Sequence, residues 1–162
     1  MKMSDGVEWA VHCCTFLAAL PNESALSGAR LSEFFALPKD YLAKHLQALS
    51  RAGLVETSKG PKGGYRLARP PAEISLLDVV EAIDGKNPCF QCTEIRRQGP
   101  SGQPDRHYKK PCGIAAAMWK AESVWRKELK KVDLGSLVHE AELNVSTLQQ
   151  ESAYDWLCKA LG

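Results

Sequence analysis

Between Asn87 and Ile114 the chain reads NPCFQCTEIRRQGPSGQPDRHYKKPCGI, a segment too rich in Gly, Pro and charge to bury a core of its own. Whatever folds before it and after it must therefore pack without its help. Three of the six cysteines, Cys89, Cys92 and Cys112, fall inside it. Thiolates gathered by irregular backbone suit a soft or borderline metal, or an iron–sulfur cluster. No apolar run approaches the roughly 18 residues of a membrane span, and the first residues lack a signal peptide's layout. A cytoplasmic setting, away from membranes, is the expectation. Thiols stay reduced there, so six cysteines do not read as a disulfide framework.

Ahead of the loop the pattern is that of a small reader domain. Met3 to Leu20 is predicted to be a helix capped by Ser4 or Asp5, with Val7, Val11, Cys14 and Ala18 on its inner face. Glu8 and His12, four apart, share one face with Trp9 beside them, and Cys13 and Cys14 read as small core residues. Ser27 caps a short helix, Gly28 to Phe35. A tight turn at Ala36 and Leu37 leads to a third helix, Pro38 to Ala52, with Pro38 expected at its first position and Gly53 closing it. Leu42, Leu46 and Leu49 form its buried stripe, while Lys39, Lys44, Gln47 and Arg51 project outward. This is a helix-turn-helix pattern. Two strands, Leu54 to Ser58 and Tyr65 to Ala68, flank the Gly-rich, basic Lys59–Gly64 hairpin, which reads as a wing. Ser75 and Asp78 form a capping box for a helix ending at Asp84 and Gly85.

Beyond the loop, Gly113 to Lys131 is a strong helix of about 30 Å. Its stripe of Ile114, Met118, Ala121, Trp125, Leu129 and Val132 is too long for so small a domain to cover, so a second subunit is the expected cover, with the C-terminal segment as the alternative. The tail from Leu134 is helical near Tyr154, Trp156, Leu157 and Leu161, and Cys158 reads as structural. The fold class is thus mainly α with a small β-wing, a winged helix-turn-helix domain plus a long dimerisation helix. The divisions are 1–85 for the reader, 86–111 for the cysteine loop, 112–135 for the dimerisation helix and 136–162 for a helical tail.

The net charge of +2 conceals a segregation. Residues 28–70 hold eight Lys/Arg against three acids, and 86–131 hold eleven against four. Two basic blocks fit an anionic partner met by particular faces. Double-stranded DNA is the expected partner, with Tyr41, Ala43, Lys44 and Gln47 facing base edges. Lys59 and Lys62 would meet phosphate or the minor groove, and Arg30 and Arg51 the backbone.

Several runs together resemble the Rrf family of bacterial winged-helix regulators. They are Asp40-Tyr41-Leu42, Leu49-Ser50-Arg51-Ala52-Gly53-Leu54-Val55, Gly60-Pro61-Lys62-Gly63-Gly64-Tyr65 and the stretch Ile74 to Gly85. The resemblance covers residues 1 to about 135 and implies a homodimer on a dyad-symmetric operator, acting as a repressor or, less often, an activator. IscR- and NsrR-like members carry closely spaced loop cysteines, whereas here the spacing is C-x2-C-x19-C. A narrower resemblance, to RsrR-type redox-sensing members, rests on Gly6 to Ala10, His12-Cys13-Cys14, Phe90, Cys92 to Arg96, and Cys112. It implies a two-iron, two-sulfur (2Fe-2S) cluster held by Cys92 and Cys112 of one subunit and by Glu8 and His12 of the other, with Trp9 as a redox-gating residue. Cys89 lies outside that pattern and is a possible additional ligand.

Two other readings compete. Cys89, Cys92, His107 and Cys112 could instead form a structural Cys3His zinc site without a redox role. A thiol enzyme using Cys89-x-x-Cys92 would require a thioredoxin-like βαβ pattern, and the sequence has none.

Overall fold

A computed structural model describes residues 3–21, 24–60 and 63–161. In chain order the elements are α1 (Asp5–Ala18), α2 (Gly28–Phe34), α3 (Lys39–Arg51), β1 (Val55–Ser58), β2 (Gly64–Leu67), α4 (Leu76–Asp84), α5 (Gly113–Lys131), α6 (Leu134–Asn144) and α7 (Thr147–Leu161). The strands pair antiparallel, Val55 opposite Leu67 and Ser58 opposite Gly64. This is the mainly helical architecture with a small sheet expected of a winged helix-turn-helix. No described helix is long and apolar enough to cross a membrane.

One leucine-rich core organises the reader. Leu31 of α2, Leu42, Leu46 and Leu49 of α3, Leu54, Val55, Ile74 and Val79 are all buried with Leu26. α3 contributes through the three- and four-residue spacing of its leucines, which puts them on one face of the helix. Burying such a side chain stabilises the fold by about 1.5–3 kcal/mol. Cys13 and Cys14 sit in the same core with no exposed surface, as small apolar residues.

The helix ends depart from the sequence reading in instructive ways. Ser4 precedes α1 but does not cap it with its side chain. Its hydroxyl and backbone N–H instead both donate to the Asp84 carboxylate, tying the start of α1 to the end of α4. Pro38 occupies the N-cap position of α3 rather than the first helical one, because its ψ of 119° is still extended. The Ser75–Asp78 capping box forms in both directions, with Asp78 N–H donating to the Ser75 hydroxyl at 3.2 Å and Ser75 N–H to Asp78 at 2.8 Å.

The wing is fastened to the rest of the reader through a bridge between Leu26 and Tyr65, with backbone bonds of 3.0 and 2.8 Å. Gly64 makes this approach possible, since a Cβ there would lie 2.3 Å from the Leu26 carbonyl carbon. A second bridge, Ser75 to Asp133, joins the start of α4 to the chain leaving α5. Leu76 N–H donates to Val132 C=O at 2.8 Å, and Leu134 N–H to Ile74 C=O at 2.9 Å.

The tail forms two helices and turns back onto the reader. α6 packs along α1, with Leu134 fully buried. Trp156 of α7 lies 4.8 Å, ring centre to ring centre, from Phe34 and 6.2 Å from Phe16. Leu157 and Leu161 join the same cluster, but Tyr154 and Cys158 are exposed. Cys158 therefore fills no core position, contrary to its structural reading. Along α5, Trp125 and Leu129 are half-buried, whereas Ile114, Met118 and Val124 remain exposed, Ile114 at 68%. Val132 follows the helix rather than belonging to it.

Two outcomes follow. Gly64→Ala must push the wing off Leu26 and should cost about 1–3 kcal/mol in denaturant unfolding. Burial pushes the Cys13 and Cys14 thiols up to about 12, which leaves almost no thiolate near neutral pH. A thiol reagent applied to the native, metal-free protein should therefore modify Cys89, Cys92, Cys112 and Cys158 and spare Cys13 and Cys14 until the chain unfolds. Mass mapping reads the difference.

Candidate functional sites

The first site is the outer face of α3. Tyr41 is 60% exposed, and Lys44 and Gln47 are exposed beside it, one turn and two turns on. The Lys44 ammonium lies 5.0 Å from the centre of the Tyr41 ring, so the two side chains form one cationic, aromatic patch. Ala43 is half-buried, on the edge of this face rather than at its centre. Arg51 is exposed at the last turn of α3, and Lys59 is exposed at the wing. Lys62 lies outside the described residues. Arg30 is exposed too, but its guanidinium is paired with Glu33 at 2.9 Å, an exposed pair that an anion could exchange at little cost.

The second site is the thiol pair of the loop. Cys112 occupies the N-cap position of α5. Its side chain makes no capping bond, but the helix-start N–H groups of Ala115 and Ile114 and, more weakly, the Arg96 charge draw its pKa below the ordinary thiol range. Cys92, like Cys112 half-buried, also lies within the electrostatic reach of Arg96. Both thiols thus feel the charge of Arg96, and Cys112 is disposed to ionise.

Cys89 points to a different neighbourhood. Its N–H donates to Glu122 of α5 at 3.0 Å, and it lines a cleft with Met3, Asp84 and Trp125. Glu122 is in turn held by Arg126 at 3.0 Å, which also reaches Glu81 of α4 at 2.6 Å and the carbonyls of Lys86 and Asn87. The base of the loop is therefore locked to α4 and α5, and Cys89 belongs to that anchored part. His107 is exposed and accepts a bond from Arg106 at 3.2 Å.

The third group is on α1. Glu8 and His12 are both exposed, on one face and four apart. His12 leans on Phe35 with ring centres 5.9 Å apart, and Trp9 meets His45 edge-on at 5.8 Å. α1 and α3 approach so closely there that a Cβ on Gly6 would lie 2.2 Å from the His45 ring. His45 escaped notice in the sequence, although its place in the stripe Leu42, His45, Leu46, Leu49 marks it as inward-facing. Among the described residues no three of His, Cys, Asp and Glu gather as a metal site within one chain. Neither the mixed set of Glu8, His12, Cys92 and Cys112 nor the Cys89, Cys92, His107 and Cys112 set is assembled by a single subunit. The only described sheet is a two-stranded antiparallel one, and Cys89-x-x-Cys92 lies in loop rather than at a helix start, so no thioredoxin-like frame surrounds it.

Comparison with known proteins agrees with this architecture. A family model for Rrf2, described as an iron-dependent transcriptional regulator, matches residues 3–140. The HTH-type transcriptional regulator YwgB of Bacillus subtilis is 29% identical over 159 residues, covering 98% of this chain and 96% of the relative. Protein aau3 of Rhizobium meliloti is 33% identical over 139 residues, covering 85% of each. Among solved structures, IscR of T. potens superposes with a TM-score of 0.67 at 23% identity, covering 91% of this chain and 93% of that one. CymR, the global cysteine regulator of B. subtilis, gives 0.65 at 21% identity over 86% and 98%. With a family match across most of its length and a reader domain of the same architecture, this chain belongs to the Rrf2 family of transcriptional regulators.

Proposed function

We propose that this regulator is a homodimeric repressor of dyad-symmetric DNA sites. In this reading its affinity for DNA responds to the redox state of a two-iron, two-sulfur cluster held between subunits. The observation that carries the reading is the division of candidate ligands into two incomplete halves. One half is the Cys92/Cys112 pair at the start of α5; the other is the exposed Glu8/His12 face of α1. The donor chemistry fits such a group: two thiolates, a neutral imidazole and a carboxylate are a mixed set. Replacing thiolates with histidine raises a cluster's potential. When bound, the cluster would supply a one-electron change at a point where two chains meet. The resemblance to RsrR-type members supports the same ligand set, and the family's iron-dependent description supports iron over zinc.

The protein's own residues supply the rest. The exposed apolar residues of α5, Ile114, Met118 and Val124, call for a partner surface, and α7 is folded away onto α1 and α2. Paired α5 helices would carry each loop towards the partner's α1. On the inner side of that α1 face, Trp9 touches His45 of α3 and His12 touches Phe35 in the turn before it. A change in how α1 is held therefore reaches the recognition helix through direct ring contacts, with Trp9 in the gating role. This is a bias on the spacing of two recognition helices, a shift between dimer populations rather than a new fold. Cys89, bonded into the Arg126 anchor, serves the loop's base in this reading and not the cluster.

DNA contact follows from the exposed face of α3 and the wing. Lys44→Ala should alter sequence preference at the contacted base pairs, by about 1–3 kcal/mol per position in competition binding. Lys59→Ala should weaken all sequences alike and reduce the salt slope by about one. Binding unchanged in both variants would overturn this use of the face.

Cross-subunit ligation is tested by mixing. Homodimers of His12→Ala or of Cys92→Ala each lack a ligand at every site and should show little visible chromophore. Their heterodimer has one site missing both ligands and one site complete, so reconstitution should return about half the wild-type absorbance. No recovery in verified heterodimer refutes shared ligation. Zinc in place of iron in anaerobically purified protein refutes the redox role.

A further inference from the structure

Cys92 and Cys112 are separated by nineteen residues of irregular chain, yet both lie within the electrostatic reach of Arg96. Several side chains bring the two limbs of the loop together: Arg97 pairs with Asp105 at 3.1 Å, and the remaining contacts run through Arg96 and Tyr108. The Arg96 guanidinium bonds the Glu94 carboxylate, two residues after Cys92, and donates to the Lys110 carbonyl at 3.3 Å, two residues before Cys112. Glu94 holds a left-handed backbone, φ 52°, which turns the chain after Cys92 so that its carboxylate and the Arg96 side chain meet. Tyr108 closes the circuit from the other limb. Its hydroxyl donates to the Arg96 carbonyl at 2.8 Å and accepts from Gln103 N–H at 2.9 Å. Its ring carries the Arg96 and Arg97 guanidinium groups at 5.2 and 5.5 Å. Between Phe90 and Trp119, Tyr108 is the only Phe, Tyr or Trp, so nothing else in the loop could replace this centre.

We infer that Arg96 and Tyr108 form a clasp that positions the Cys92 and Cys112 thiols as a pair before any metal arrives. Both are positioning residues: they act on the sulfurs through the loop. The clasp takes its purpose from the cluster-holding reading above, but its geometry stands in the bare chain. Without it, gathering the two sulfurs would cost the closure entropy of a nineteen-residue flexible segment at the moment of cluster loading. With it, most of that ordering is already in place. Arg suits the task because a planar guanidinium can hold a carboxylate and a carbonyl at once while stacking on a ring, which the point charge of Lys cannot.

The test uses metal-free, full-length protein in which Cys89 and Cys158, exposed and outside the pair, are replaced by Ser. The Cys92–Cys112 disulfide is equilibrated against glutathione. Oxidised glutathione takes up the two electrons and two protons and leaves as two reduced molecules, so the equilibrium constant reports the effective concentration of one thiol at the other. Arg96→Ala and Tyr108→Phe should each lower it by about tenfold. Arg96→Lys, which retains the charge without the fork, should fall nearly as far. The thermal midpoint should move little, since these side chains lie outside the core. Values within twofold of the parent in Arg96→Ala and Tyr108→Phe would overturn the clasp, and full retention by Arg96→Lys would reduce Arg96 to a charge and overturn its positioning role. Iron and visible absorbance, measured on the parent with Cys89 and Cys158 intact, separate the two ideas. A colourless, iron-free parent with a tenfold fall in the variants retains the clasp and rejects the cluster. A normal chromophore with no fall retains the cluster and rejects the clasp.

Discussion

The arrangement of this molecule depends on one guanidinium. Arg126 lies on α5, and from there it reaches Glu81 on α4, Glu122 on its own helix and the carbonyls of Lys86 and Asn87 where the chain leaves α4. The pair with Glu81 is about a quarter exposed on the arginine side, so solvent screens part of its strength. Geometry matters more here than energy. A planar group with five donors satisfies four acceptors on three segments, and so fixes how the long helix leaves the reader. The loop can then be irregular beyond residue 89 because its first residues are already fastened. At the other end of α5, the Ser75–Asp133 bridge performs the same service with backbone hydrogen bonds.

Much of the fold was legible because its rules are local. Leucines at helical spacing identified the buried face of α3, and the Ser75–Asp78 box located the start of α4. The bounds of α5 emerged as read, since Gly113 follows an irregular segment and Val132 precedes a capping aspartate. Ser4 was misread for a reason that local rules cannot supply. Its hydroxyl had a stronger acceptor in Asp84, eighty residues away, than the helix start beside it. Likewise Trp156, Leu157 and Leu161 could be recognised as apolar, but their destination against Phe16 and Phe34 depends on the direction in which α6 leaves α5.

The site was legible by a different measure. The loop cysteines drew notice by type, whereas Glu8 and His12 entered as candidates only through the family resemblance. What positions the cysteines drew no notice. Arg96 and Tyr108 work through carbonyls, a ring face and a single hydroxyl, none of which leaves a periodic trace in the sequence. His45 was hidden in the opposite way: it sits within a leucine stripe and drew no reading, although it is the point where α3 meets Trp9.

The packing of α7 also sets an order on biosynthesis. A ribosome delivers α1 and α2 well before α7, with Phe16 and Phe34 stacked 4.1 Å apart and one side of that stack uncovered. Trp156, which packs on Phe34, arrives only after α3 to α6 have emerged. Until then the nascent reader carries an open aromatic face, the kind of surface that attracts chaperones or other unfinished chains. Contacts this distant in sequence also slow the search for the native arrangement. The reader therefore reaches its final packing only once α7 has joined it.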